Sequence, residues 1–288
     1  MKHVPVLLNE VLEMVNPKPG DFIIDGTVGE GGHGKEIIKR IEPKGMFLGI
    51  DWDESQAKRA RENIISKNAK VVIIQGNYRN IPGIQKKEGL PKADGLLLDL
   101  GFSSAHLLSG RGFSFQRDEP LDMRYDEKAG GESAKDVINK YAERALAEIF
   151  WKYGEEKKAR EFAKRISEER KKRPIDTTGV LVRIIGEKKT SKIHPATKIF
   201  QALRIYINKE LENLESVLGN IPEILKPGGR VAIITFHSLE DRVVKQYFKT
   251  FEEQGVGKRI NKKVIKPTRE EVLQNPRSRS AKLRGFQI

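Results

Sequence analysis

Short apolar runs alternate with amphipathic stretches along the first third of the chain. Val6, Leu7, Val11, Leu12 and Val15 recur on one face at helical spacing, which predicts a helix over residues 5–15. FIID, MFLGID, KVVIIQG and ADGLLLD are compact apolar runs of strand length, separated by KEIIKRI and by a stretch opened by Asp53 or Glu54 and running to Ile65, both of helical period. KVVIIQG is continuously apolar and is expected to be a fully buried strand. Strands alternating with helices predict an α/β fold, a doubly wound and mostly parallel sheet. Ligands of such a sheet gather beyond the carboxyl ends of its strands, where Asp25, Asp51, Tyr78 and Asp99 all fall.

The pattern breaks after strand four. Between Leu107 and Ile193 no strand-like run occurs. GRGFSFQRDEPLDMRYD is polar and irregular with interleaved aromatics, and helical stretches follow at 133–141, 142–153, 155–172 and 178–185. This predicts an all-helical insertion over 107–194 within an α/β domain formed by 1–106 and 195–288. Residues 195–218 read as one long helix, with Phe200, Leu203, Ile207, Leu211, Leu214 and Leu218 as a packing stripe. A short helix, a Pro-Gly-Gly turn and an apolar strand ending at Phe236, His237 and Ser238 come next, then a helix through Phe251. The last stretch, rich in Lys and Arg, reads as a closing antiparallel pair of strands.

DGTVGEGGHG joins strand one to the next helix. Glycines there let the backbone turn sharply and approach a ligand, while the helix's first N–H groups face it and favour negative charge. Asp51, at the tip of strand two, is placed to accept hydrogen bonds from ribose hydroxyls. NAD and S-adenosylmethionine both carry such a ribose. Asp25, directly before the glycines, suits the ammonium of a bound amino acid, which NAD lacks. The loop, that acid and the late PGG turn together favour S-adenosylmethionine.

The net charge of +14 points to a polyanionic partner, most often nucleic acid. Arg277, Arg279, Lys282 and Arg284 in the basic C-terminal segment are the candidate phosphate contacts. Absence of cysteine excludes disulfides, thiolate-bound zinc or iron–sulfur clusters, and the cysteine nucleophile of covalent pyrimidine C5-methylation. The histidines show no HxxH or HxxxH spacing, so no metal is expected. Without an apolar run of about 18 residues no membrane span is expected. MKHVPVLLNEVLEMV is too acidic and amphipathic for a signal peptide, and a cytoplasmic location follows as the expectation.

DGTVGEGGHG, DLGFSS, GRGFSFQRDEPLDMRYD, HPATKIFQALRIYINKEL, FHSLEDRVVK and NPRSRSAKLR, with HVPVLLNE near the start, together resemble the bacterial 16S ribosomal RNA (cytosine-N4)-methyltransferases of the MraW/RsmH type. The resemblance implies a Rossmann-like class I methyltransferase whose helical insertion recognises RNA. It implies S-adenosylmethionine as donor, S-adenosylhomocysteine as product, and a decoding-centre cytidine of 16S rRNA in the small ribosomal subunit as acceptor. It places Gly31, Gly32 and His33 in the cofactor loop, Asp51 on the ribose, Tyr78 against adenine and Asp99 at the donor-methyl end. His106 stands in SSAHLL where the family pattern SSPQLD has Gln, which leaves its cofactor contact open. Asp99 and His237 are the candidate catalytic pair: Asp99 orients the cytosine amine or holds the cofactor's methionine end, and His237 takes the proton or braces the FHSLED turn. A nucleoside-sensing, RNA-binding assembly factor without turnover is the alternative function.

Overall fold

The structure, a computed structural model, describes residues 5–101, 104–186 and 194–288, with Ser104 and Ala105 described in backbone only. Phe102 and Ser103 of DLGFSS and His3 and Val4 of HVPVLLNE lie outside the described residues. Seven strands form one sheet: β1 (Phe22–Asp25), β2 (Met46–Asp51), β3 (Lys70–Gln75), β4 (Ala93–Asp99), β5 (Leu225–Thr235), β6 (Lys258–Arg259) and β7 (Lys282–Gln287). Their order is 3-2-1-4-5-7-6. β1 to β5 pair in parallel, while β7 runs antiparallel to both β5 and β6. This is the expected Rossmann-like, mostly parallel sheet, and its order reverses between β1 and β4.

The strands are short and apolar on both sides because both faces are covered. Ile23, Phe47, Leu97 and Ile234 pack with Val11, Leu12, Ile37 and Ile41 from helices Leu8–Val15 and Gly32–Ile41. Their neighbours Ile24, Leu48, Leu98 and Ile233 pack with Leu214, Val217, Val244 and Phe248 from helices Glu210–Gly219 and Ser238–Glu253. Each such side chain contributes about 1.5–3 kcal/mol on burial, and truncating Phe47 to Ala would cost about 3–5 kcal/mol. This double burial makes the strand ends a firm base for the loops beyond them.

Three details differ from what the sequence predicts. β3 is an edge strand paired only with β2, so Val71 to Ile74 are half-buried and not fully enclosed. The long helix over 195–218 is two helices, Pro195–Ile207 and Glu210–Gly219. Lys209 takes φ +50°, and the buried Asn208 amide donates to Arg204 O and Met123 O while accepting from Tyr125 N, which stops the first helix. Pro-Gly-Gly is not a hairpin turn: it lies within β5, where pairing jumps from Ala93↔Leu225 to Gly95↔Arg230 and Gly228 takes φ +84°.

The chain forms two compact units, one of Met1–Gly101 with Leu211–Ile288 and one of Phe102–Glu210. Helix Pro195–Ile207 packs on helix Glu143–Gly154. In this second unit the polar stretch 110–126 is held by its own bonds. Arg111 donates to Arg124 O and Tyr125 O, and buried Glu119 accepts from Gly112 N at 3.0 Å. No helix among the described residues is long and apolar enough to cross a membrane.

Candidate active site

The glycine loop is tied to two strand ends. Val28 N donates to Ile50 O at 2.8 Å and Gly29 N to Asp51 Oδ2 at 2.9 Å, which fastens it to β2. Thr27 Oγ1 accepts from Asp99 N at 2.6 Å, which fastens it to β4. Gly29 and Gly31 have φ +54° and +89°, conformations that a Cβ would strain. Helix Gly32–Ile41 starts at Gly31 with no side-chain cap. A helix start without a side-chain cap carries the positive end of the helix dipole.

Three carboxylates share this edge. Asp51 accepts from Gly29 N through Oδ2 and from Asp53 N through Oδ1, both at 2.9 Å. Asp99 Oδ1 accepts from Gly101 N at 3.3 Å. Asp25 is 2% exposed. Burial pushes its carboxyl up to about 8, Thr27 N pulls the other way, and the charges of Asp99 and Asp51 add to the rise. A buried acid flanked by two further acids is a cradle for a cation. All three acids stand at the carboxyl ends of their strands, β1, β2 and β4.

β4 and β5 are neighbours in register, with Asp99 opposite Ile234. A Cβ on Gly101 would lie 2.7 Å from the Phe236 ring, so glycine in DLG lets the two strand ends close together. His237, two residues beyond β5, is the N-cap of helix Ser238–Glu253. Its Nδ1 accepts from Glu240 N at 3.3 Å, and the Glu240 carboxylate accepts in return from Phe236 N at 2.8 Å and His237 N at 3.3 Å. Nε2 lies 3.0 Å from Glu240 Oε1 without the alignment of a hydrogen bond. The Nδ1 lone pair of His237 is therefore engaged by the start of its own helix.

The remaining candidates separate. Tyr78 opens the short helix Tyr78–Asn80, and its Cβ is close enough to Gly26 that an added Cβ there would lie 3.1 Å away. His33 is buried, with Nε2 2.9 Å from Val6 O, so part of its ring is spent on the N-terminal segment. His106 belongs to the second unit, on helix Ser104–Leu107, with its ring centroid 5.0 Å from Tyr125 and 5.4 Å from Phe113. Arg277 and Arg279 are exposed on the turn Pro276–Ser280.

Arg284 does not fit the phosphate role. It is 7% exposed on β7 and donates from Nε to Asp241 Oδ1 at 2.7 Å, while Lys282 Nζ lies 3.3 Å from Asp241 Oδ2. Burial pushes the Asp241 carboxyl up, but Arg284 and Lys282 outweigh it and hold it below its ordinary value. Arg284 clamps the helix to the sheet, and its basic character in the sequence carries no sign of that partner. Two contributors escaped the sequence reading. Thr27 is unremarked within GTVG, whereas Glu240, three residues after His237, is signalled by the capping-box spacing.

The profile of the MraW methylase family matches residues 1–288. The Ribosomal RNA small subunit methyltransferase H of Dictyoglomus thermophilum is 45% identical over 98% of this chain and 95% of its own length. That of Coprothermobacter proteolyticus is 44% identical over 99% and 96%. Among solved structures, Aeropyrum pernix fibrillarin with bound S-adenosyl-L-methionine overlaps 93% of this chain and 67% of its own, at 12% identity and a TM-score of 0.41.

Proposed function

We propose, from the premise that the chain belongs to the MraW methylase family and uses S-adenosylmethionine, that it methylates N4 of a decoding-centre cytidine in 16S rRNA of the small ribosomal subunit. The observation that carries this reading is the convergence of Asp25, Asp51 and Asp99 at the ends of β1, β2 and β4 beside the uncapped glycine-loop helix. Bound S-adenosylmethionine supplies an electrophilic methyl group on a sulfonium. Asp25 faces its ammonium, the N–H groups from Gly32 to Gly34 its carboxylate, Asp51 its ribose and Tyr78 its adenine.

Asp99 has the acceptor role towards the substrate. A cytosine amine is a poor nucleophile because its lone pair is delocalised into the ring. A carboxylate that accepts one amine N–H orients the group and favours the form whose lone pair is free, and correct orientation is a large part of the barrier. His237 braces the adjoining turn, since its Nδ1 is already engaged. Arg277 and Arg279 contact RNA phosphates, and the second unit recognises the surrounding RNA. His106 retains a cofactor role only through the family resemblance.

Small ribosomal subunits, S-adenosylmethionine and the purified chain together should yield S-adenosylhomocysteine, and omission of any one should yield none. Binding of both ligands without product over many hours would overturn the enzymatic reading and leave an RNA-binding assembly factor.

A further inference from the structure

Leu7 is fully buried, yet its backbone takes the left-handed conformation with φ +52°. A branched side chain rarely adopts this conformation unless its surroundings fix it. Its N–H donates to Glu271 Oε1 at 2.8 Å, across almost the whole sequence. The preceding carbonyl, of Val6, lies 2.9 Å from Nε2 of buried His33. The residue before that, Pro5, is packed so closely on Gly32 that a Cβ there would lie 2.8 Å from its Cγ. Three consecutive residues thus engage Glu271 on one side and the opening of the glycine-loop helix on the other.

Glu271 is well placed to act as the outer anchor. It sits in the first turn of helix Arg269–Gln274, where its own N–H is capped by Thr268 Oγ1 at 3.1 Å. Its carboxylate is left to reach Leu7. Removing that acceptor leaves a buried N–H unsatisfied, and burying an unmade hydrogen bond is costly. The segment relieves that cost by moving, and any such movement releases the Val6–His33 bond and the Pro5–Gly32 contact together.

We propose that Glu271 is a positioning residue for the cofactor: it pins residues 5–7, which in turn fix the start of helix Gly32–Ile41. The inference rests on the glycine loop being the S-adenosylmethionine site. Glu271 touches neither cofactor nor substrate, so its effect falls on the ordering that cofactor binding must accomplish. It should appear in affinity and KM, with kcat at saturating cofactor preserved.

The test is titration calorimetry with S-adenosylmethionine on the parent, Glu271→Ala, Glu271→Gln and Asp51→Ala. Glu271→Ala should bind about 5- to 20-fold more weakly, the partly transmitted loss of one charge-assisted hydrogen bond. Glu271→Gln keeps an acceptor oxygen at the same reach and should stay within about threefold of the parent. Hydrogen exchange should quicken at Leu7 and at Gly32 to Gly34 in the Ala variant only. If Glu271→Ala does not fold, Glu271→Asp, one methylene too short, takes its place with the same expectation. Parental affinity in the Ala or Asp variant, with weakened binding in Asp51→Ala, would overturn the latch alone. Parental affinity in Asp51→Ala would overturn the site on which it rests. A fall in kcat without a rise in KM would also overturn it, by showing general damage.

Discussion

The ends of β4 and β5 lie side by side, yet their side chains have opposite commitments. Asp99, ending β4, spends one oxygen on a long bond to Gly101 N and sits within the field of Asp25. His237, just past β5, has Nδ1 engaged by Glu240 N and Nε2 beside the Glu240 carboxylate. Both residues are polar, both end an apolar strand, and both read as catalytic from the sequence. The difference is in what the next few residues do. Beyond Asp99, Gly101 admits the Phe236 ring and donates its N–H to the carboxylate, whereas after His237 a helix begins and uses the imidazole as its cap.

The largest effect should separate these two residues directly. In single-turnover methyl transfer at saturating cofactor and RNA, Asp99→Asn should slow the chemical step by about 10²–10⁴-fold, the range for a positioned acid or base. His237→Ala should stay within a few-fold of the parent. A reversed pattern would return the proton acceptor to His237.

Next comes the cofactor. Asp51→Ala should weaken S-adenosylmethionine by about 1.5–3 kcal/mol, the worth of hydrogen bonds to a charged group. Calorimetry that finds unchanged affinity removes Asp51 from the ribose.

A smaller effect concerns the cap. Replacing His237 by Ala should lower unfolding free energy by about 0.5–2 kcal/mol in urea titration, and Asn, a better cap, should restore most of it. If Asn were as destabilising as Ala, His237 would owe its place to something other than capping.

The last effect is a proton. The Asp25 carboxyl is raised from 3.8 to about 8 in the folded chain, so folding favours its protonated form. Its contribution to stability is therefore fully present below about pH 3.8, fades as pH rises, and is gone above about pH 8. Asp25→Asn should flatten that part of the profile. An ammonium beside Asp25 reverses the preference, so cofactor binding at pH 7 should release a fraction of a proton. Calorimetry in buffers of different ionisation heat should detect the release in the parent and not in Asp25→Asn. Buffer-independent heats in the parent would detach the ammonium from Asp25.

The acids at the strand tips were legible because each follows an apolar run that only a buried strand explains, and the carboxyl edge is where such a sheet collects ligands. Features that depend on partners distant in sequence were not. Asp241 buries Arg284, and Asn208 ends a helix by bonding to Met123 and Tyr125, so local periodicity alone reads a solvated arginine and an unbroken helix. His33 meets Val6, and Leu7 meets Glu271, only once the sheet has brought the termini together. The edge position of β3 follows from strand order, which hydropathy does not encode.

The central claim is a methyl group on one particular nitrogen. Small subunits lacking the modification should be incubated with the chain and methyl-deuterated S-adenosylmethionine, and their RNA digested for nucleoside mass analysis. The account predicts a single deuterated N4-methylcytidine per subunit, mapped to the decoding centre and nearly absent with Asp99→Asn. Deuterium at a cytosine ring atom, on a ribose, or nowhere in the small-subunit RNA would contradict it.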